Sequence, residues 1–166
     1  DVIKPHDNNL KVYGDKIKNL LILSCIEVEN QLKSIIRTNN YPEKQLYNTN
    51  DYIKLKEILK LSNYAINFRF YPNLTIENPF ENWDISIGAT KSIPWYDTYN
   101  IVKHNAEKEI SKATLEMALK SISALAILIK AQFGYLPLYW KERIGNFYDI
   151  DNYTVWDKEE FIFAPL

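Results

Sequence analysis

Apolar residues from Lys16 to Arg37 recur at spacings near three and four, through Ile17, Leu20, Leu21, Leu23, Val28, Leu32 and Ile35. That period gives one dry and one wet side and predicts a long amphipathic helix. Thr38, Asn39, Asn40 and Pro42 close it, and Asp51 is placed to cap a second helix carrying Tyr52, Leu55, Ile58 and Leu59. At Tyr64 the period drops to two. Tyr64, Ile66, Phe68 and Phe70 alternate with Ala65, Asn67 and Arg69, the signature of a half-buried strand that Pro72 stops. "NLTIENPF" offers it a partner after a turn, and "EEFIF" near the end offers a third strand. Helical spacing returns over 95–110 and 112–133. The second of these puts Leu115, Ala118, Leu119, Ile122, Leu125, Ala126, Ile129 and Phe133 on one side before Gly134 ends it.

The pattern predicts a mainly α fold: a bundle of about four to five helices with a small antiparallel β insertion. Its helical core spans about 15–133, and an aromatic segment over 134–166 wraps it. With 166 residues, 46% of them hydrophobic, and with no repeat or Gly/Ser linker, the chain reads as a single domain over 1–166.

Charge and cysteine content narrow the function classes. Twenty basic residues face 21 acidic ones, so no global field draws in nucleic acid or an anionic membrane, and any polyanion must be bound locally. A lone cysteine, Cys25, excludes an intramolecular disulfide framework and multi-cysteine zinc sites; it reads as core, and a reducing cytoplasm is the expected location. The runs "LLILSCI" and "ISALAILI" are too short to span a bilayer, so no membrane association is expected. Two histidines without an HExxH arrangement or paired aspartates give no metal-ligand set, and no cofactor is implied.

Chemistry concentrates in "WYDTYNIVKHN", residues 95–105. At about 100° per residue, Tyr96, Asn100, Lys103, His104 and Glu107 share one helix face, while Val102, Ala106 and Ile110 supply the buried stripe. A histidine with an ordinary pKa of about 6.5 can exchange a proton near neutrality, a neighbouring lysine offers a charge for phosphate, and an amide one turn earlier can orient either. Those parts suit metal-free phosphodiester transesterification, with Asn100, Lys103 and His104 as the catalytic candidates. Trp95, Tyr96 and Tyr99 are the substrate-binding candidates. Trp83, Trp95 and Tyr96 could stack on bases or pack at the junction of sheet and helix. Glu27 or Glu29 on the first helix could face His104 and hold its tautomer, or lie in solvent.

"PWYDTYNIVKHN", preceded by "INFRFYPNLTIENPFENWD" and followed by the long alanine- and leucine-bearing helix, resembles bacterial proteins of the HEPN-like kind. Their shared pattern runs aromatic-aromatic, two residues, Tyr-Asn, two residues, Lys-His. The similarity covers about residues 15–133 and is strongest from Pro79 to His104. It implies a helical bundle of a type that includes many metal-independent ribonucleases, often toxins or antiviral effectors, acting as dimers with facing motifs. Asn100 then falls on the polar position of the ribonuclease signature and His104 on the histidine, but Tyr99 occupies the arginine position, and Asn105 and Ala106 follow where a further arginine is common. Tyrosine offers one neutral donor where arginine offers a charged two-pronged grip on phosphate. Only Arg37, Arg69 and Arg143 exist elsewhere in the chain. Two readings follow from the resemblance. One is an RNA-binding or RNA-cleaving module, in bacterial defence or a toxin–antitoxin pair, with RNA or a nucleotide as ligand and a homodimer or partner protein as context. The other is a non-catalytic interaction or scaffold module in which Asn100 and His104 are internal hydrogen-bonding partners.

Overall fold

The computed structural model describes residues 3, 6–39, 41–76, 78–133 and 148–152. It is mainly helical, with one small β pairing. In chain order the elements are α1 (Asp15–Thr38), α2 (Thr49–Tyr52), α3 (Leu55–Ile58), β1 (Tyr64–Phe68), α4 (Pro94–His104), α5 (Ala106–Glu109), α6 (Leu115–Phe133) and β2 (Tyr148–Asn152). No described helix is long and apolar enough to cross a membrane.

The first helix forms where its periodicity predicts, and its dry stripe is Ile17, Leu21, Ser24, Cys25, Val28, Leu32, Ile35 and Ile36. Leu20 and Leu23 were expected on that stripe; both are exposed, because each sits a quarter-turn or more from the line through Leu21 and Val28. Asp15 in the first turn and Arg37 in the last complement the helix dipole. At the far end Asn39 folds back, its side-chain amide donating to the Ile35 carbonyl at 2.8 Å.

The second predicted helix is two short ones. Its cap is Asn48 and not Asp51: the Asn48 side chain accepts from the Asn50 amide at 2.9 Å, and Asp51, three residues in, reaches back to accept from the Asn48 amide at 3.1 Å. This reciprocal box satisfies donors that the first helical turn leaves open. Ile58, expected inside, is exposed on the short α3.

The strand is where alternation puts it, with Tyr64, Ile66 and Phe68 buried and Asn67 exposed; Phe70 lies past its end and is exposed. Its antiparallel partner comes from far along the chain, with Ile66 opposite Ile150 and Phe68 opposite Tyr148. "NLTIENPF" buries Leu74 and Ile76 without becoming a strand in its described residues. "EEFIF", Gly134 and most of the expected aromatic wrap lie outside the described residues.

α6 begins after Thr114, whose backbone pairs with Tyr13 just ahead of α1. Both helices leave that junction and meet again where Ser24 Oγ and Ser121 Oγ lie 2.5 Å apart, so they run in the same direction. α6 is buried on a broader arc than one stripe, through Ala118, Ser121, Ser123, Ala124, Ala126, Ile127 and Leu128, while Phe133 is exposed. α4 lies against both α1 and α6. Buried residues of the helices, β1 and the segment before α4 form one continuous core.

Candidate functional site

The segment leading into α4 is held by hydrogen bonds from side chains to backbone groups. Asn78 donates to the carbonyls of Leu61 and Tyr64 at 3.0 and 2.6 Å and accepts from the Phe80 amide at 2.8 Å. Trp83 Nε1 donates to the Ala89 carbonyl at 2.8 Å, and Trp95 Nε1 to the Pro79 carbonyl at 2.9 Å. From there an aromatic ladder runs into the helix: Phe80 to Trp95 at 5.9 Å between ring centres, Trp95 to Tyr96 at 5.7 Å, and Tyr96 to Tyr99 at 5.5 Å. Edge-to-face pairs at such separations favour each ring's orientation beyond simple burial. Pro94 at the first helical position starts α4 without wasting an amide.

This packing decides the fate of the expected substrate-binding residues. Trp95 is 1% exposed, Tyr96 5% and Tyr99 0%. All three are core, and none presents a ring on which a base could stack. The buried side of α4 is therefore Trp95, Tyr96, Tyr99 and Val102, rotated from the expected stripe through Val102, Ala106 and Ile110. The helix also stops at His104. Asn105 leaves the helical region, and the chain restarts as α5, so Glu107 does not continue the face of Asn100 and His104.

Tyr96 and Tyr99 carry their hydroxyls to the boundary between α4 and α1. The Tyr96 hydroxyl donates to Oε1 of Glu29, whose Oε2 lies 4.0 Å from Lys33 Nζ. Burial, and then the Glu29 carboxylate beside it, push the Tyr96 phenol well above the usual range. Tyr52, donating to the Tyr47 carbonyl at 3.4 Å, is raised in the same way by burial and by the Glu29 charge. Both stay neutral donors. Lys103 Nζ sits 3.0 Å from the Tyr99 hydroxyl and 5.0 Å from its ring centre. That hydroxyl, with Glu29 acting from further off, holds the Lys103 ammonium above its ordinary value. Burial pushes the Cys25 thiol up as well, so it is a core side chain and no nucleophile.

The catalytic candidates are thus placed in different surroundings. Lys103 is exposed but tethered to Tyr99. His104 is exposed on the last turn of α4, Asn100 is half-buried one turn earlier, and neither has a side-chain partner among the described residues. The carboxylate expected opposite His104 does something else: Glu29 serves Tyr96, and Glu27 is exposed and bonded to Gln31 within its own helix at 2.9 Å. Sequence reasoning missed Lys33. Its signal was the spacing Glu29-x-x-x-Lys33, which sets both on one face of α1.

Among the described residues no three His, Cys, Asp or Glu side chains converge as a metal-ligand group. Two open depressions, of about 340 and 730 Å³, lie by Ser62–Ala65 and between Ile53–Glu57 and Glu81–Ile87; no α4 residue lines either. Comparison with protein-family models, with curated proteins and with solved structures gave no match.

Proposed function

We propose that the chain is a HEPN-like module that engages RNA through the end of α4, with Lys103 meeting a phosphate and Asn100 and His104 meeting the ribose or the same phosphate. One observation carries this reading. The two tyrosine hydroxyls of the motif are engaged, one with Glu29 and one with Lys103, whereas Asn100 and His104 are accessible and have no side-chain partner among the described residues. Had they been interior hydrogen-bonding partners, they would be buried and satisfied, because an unpaired buried polar group costs about 1–3 kcal/mol.

A second reading, binding without cleavage, is favoured by Tyr99. The position that would hold a phosphate-gripping arginine is a fully buried ring. Cleavage then has a proton acceptor in His104 but no charged fork for the transition state.

The test is fluorescence anisotropy with a labelled single-stranded RNA of mixed sequence, alongside a cleavage assay in chelator. His104→Ala and Asn100→Ala should each weaken binding, and His104→Ala should abolish any cleavage. Wild-type binding without cleavage selects the second reading. Unchanged binding and cleavage in both variants overturns the proposal. The defence or toxin–antitoxin role is tested by growth on expression, which His104→Ala should restore if the wild type arrests it. Solution mass checks the expected homodimer.

A further inference from the structure

We infer that the corner joining α1 to α2 is a separate RNA surface, in which Arg37 and Lys54, each held against a tyrosine ring, meet successive phosphates of one strand. It shares RNA as ligand with the reading of α4, but none of that reading's residues.

What holds a cation decides whether its charge is left for a ligand. Lys18, Lys112 and Lys120 lie 2.7, 2.8 and 3.0 Å from carboxylates a few residues away, which offset much of their field. Arg37 and Lys54 are exposed and pair with no carboxylate among the described residues. The Arg37 guanidinium carbon stands 6.0 Å from the centre of the Tyr47 ring, and Lys54 Nζ stands 4.8 Å from that of Tyr41 and donates to its hydroxyl. An aromatic face orients a cation and leaves its charge in place. The two rings are neighbours in turn, with centres 6.4 Å apart and planes tilted by 56°. Measured contacts therefore run unbroken from Arg37 through Tyr47 and Tyr41 to Lys54.

The chain leaving α1 builds this corner. The Tyr41 amide returns to the Ile36 carbonyl at 3.3 Å, and the Tyr47 hydroxyl donates to the Pro42 carbonyl at 3.3 Å. Asp51 is buried beneath and already committed, since it accepts from Lys44 and from the Asn48 amide. The exposed Glu43 pairs with neither Arg37 nor Lys54. Positive charge is thus left in excess here. Two cations on separate rings suit charges repeated along a chain better than one compact anion, and Arg37 supplies the two-pronged phosphate grip that the α4 motif lacks. Cations interleaved with aromatic rings are the means by which single strands are tracked without regard to sequence. The corner is also apart from the end of α4. The chain beyond α4 reaches Thr114, which pairs with Tyr13 ahead of α1, whereas Arg37 lies in the last turn of α1.

The test uses the same labelled RNA over a range of salt. Arg37→Gln and Lys54→Gln should each weaken binding and make the dependence of log K on log salt shallower by about 0.7, the share of one phosphate contact on a single strand, and the double variant by about 1.4. Arg37→Lys keeps the charge without the fork, so it should weaken binding and leave the slope unchanged. Lys120→Gln, which removes a lysine already paired with Glu116, should alter neither. Circular dichroism checks that each variant keeps its fold. If the folded double variant binds as wild type with an unchanged slope, the inference is overturned, and a loss in His104→Ala still leaves the α4 reading standing. If the double variant loses binding while His104→Ala and Asn100→Ala do not, the corner stands and the α4 reading falls. If a glutamate-rich peptide of equal charge displaces the RNA as well as unlabelled RNA does, the corner takes anions of any kind and its assignment to RNA falls.

Discussion

α1 packs most heavily on α6 and α4, and the two seams it makes with them are built from opposite materials. Against α6 it presents Leu21, Cys25 and Val28, each 0% exposed, with Ser24 closing on Ser121. Ser24 Oγ also reaches the carbonyl of Leu20 at 2.8 Å, so even the hydroxyls there are spent on neighbouring backbone and on each other. Against α4 the same helix presents Glu29, which lies 4.0 Å from Lys33 on its own helix, and the reply is the Tyr96 hydroxyl. The first seam is dry and saturated; it can fix helix positions but has nothing left with which to bind. The second keeps charges and donors at a partly wet boundary, where orientation and chemistry are decided together. A single helix therefore divides its labour by face: its dry stripe anchors the bundle, and its wet edge holds α4 through the Tyr96–Glu29 hydrogen bond.

The sharpest way to break that contrast is to attack the dry seam. Leu21→Ala removes a fully buried side chain among close-packed neighbours and should cost about 2–5 kcal/mol of stability, read from urea unfolding. A cost under about 1 kcal/mol would mean that the seam with α6 is looser than its burial implies.

Next comes the wet seam. Tyr96→Phe keeps the ring stack with Trp95 and Tyr99 but leaves Glu29 without its donor. Because the Glu29 side chain retains 19% exposure, water recovers part of the loss, and about 1–2 kcal/mol is expected. A result as large as that of Leu21→Ala would show that the two seams bear equal load.

The dry seam was far more legible in the sequence than the wet one. Periodicity found α1 to within a residue at each end and placed the strand at Tyr64, because burial writes a repeating signal at every turn of a helix and every second strand residue. The errors came where tertiary context decides. Leu20 and Leu23 are apolar yet exposed, so counting them with the stripe blurred its azimuth. Tyr96 and Tyr99 are amphipathic, and a pattern cannot tell a tyrosine that shows its hydroxyl to solvent from one that buries its ring and reaches a carboxylate on another helix. Asn105 broke α4 early, which separated Glu107 from His104. The partner of β1 was sought in the next segment, whereas the chain pairs it with "YDIDN", whose two aspartates carry no strand signal. The pairing of Glu29 with Tyr96, 67 positions apart, had no local trace at all.

The α2 cap sharpens the comparison from the outer side of the wet seam, because it seats Tyr52, whose hydroxyl feels the Glu29 charge. Asn48→Ala should cost about 1 kcal/mol through the loss of the amide contact. Asp51 adds a pH signature. The Lys44 ammonium bonded to it, helped by the Asn48 amide, holds its carboxyl below the usual range. A carboxyl depressed in the folded state contributes stability that is complete above the unfolded value of about 3.9 and is lost as pH falls through the lower folded value. Unfolding curves taken below about pH 4 should therefore show a fall in stability that is shallower in Asp51→Asn. An equal slope in the two proteins would remove Asp51 as its source.

The smallest effect on stability is expected where the largest effect on binding is. His104 is exposed at the end of α4 and has no side-chain partner among the described residues, so His104→Ala should change stability by no more than about 0.5 kcal/mol. The same variant should lose RNA. A residue of the dry seam cannot behave this way, since its removal weakens the fold first and any binding only through the fold. The pair of measurements on His104→Ala, unfolding midpoint and anisotropy, thus tests whether the wet edge of the bundle is separable from its frame. If stability instead falls by 1 kcal/mol or more, the imidazole is part of the frame, and the accessible amide and imidazole at the end of α4 lose their standing as a site.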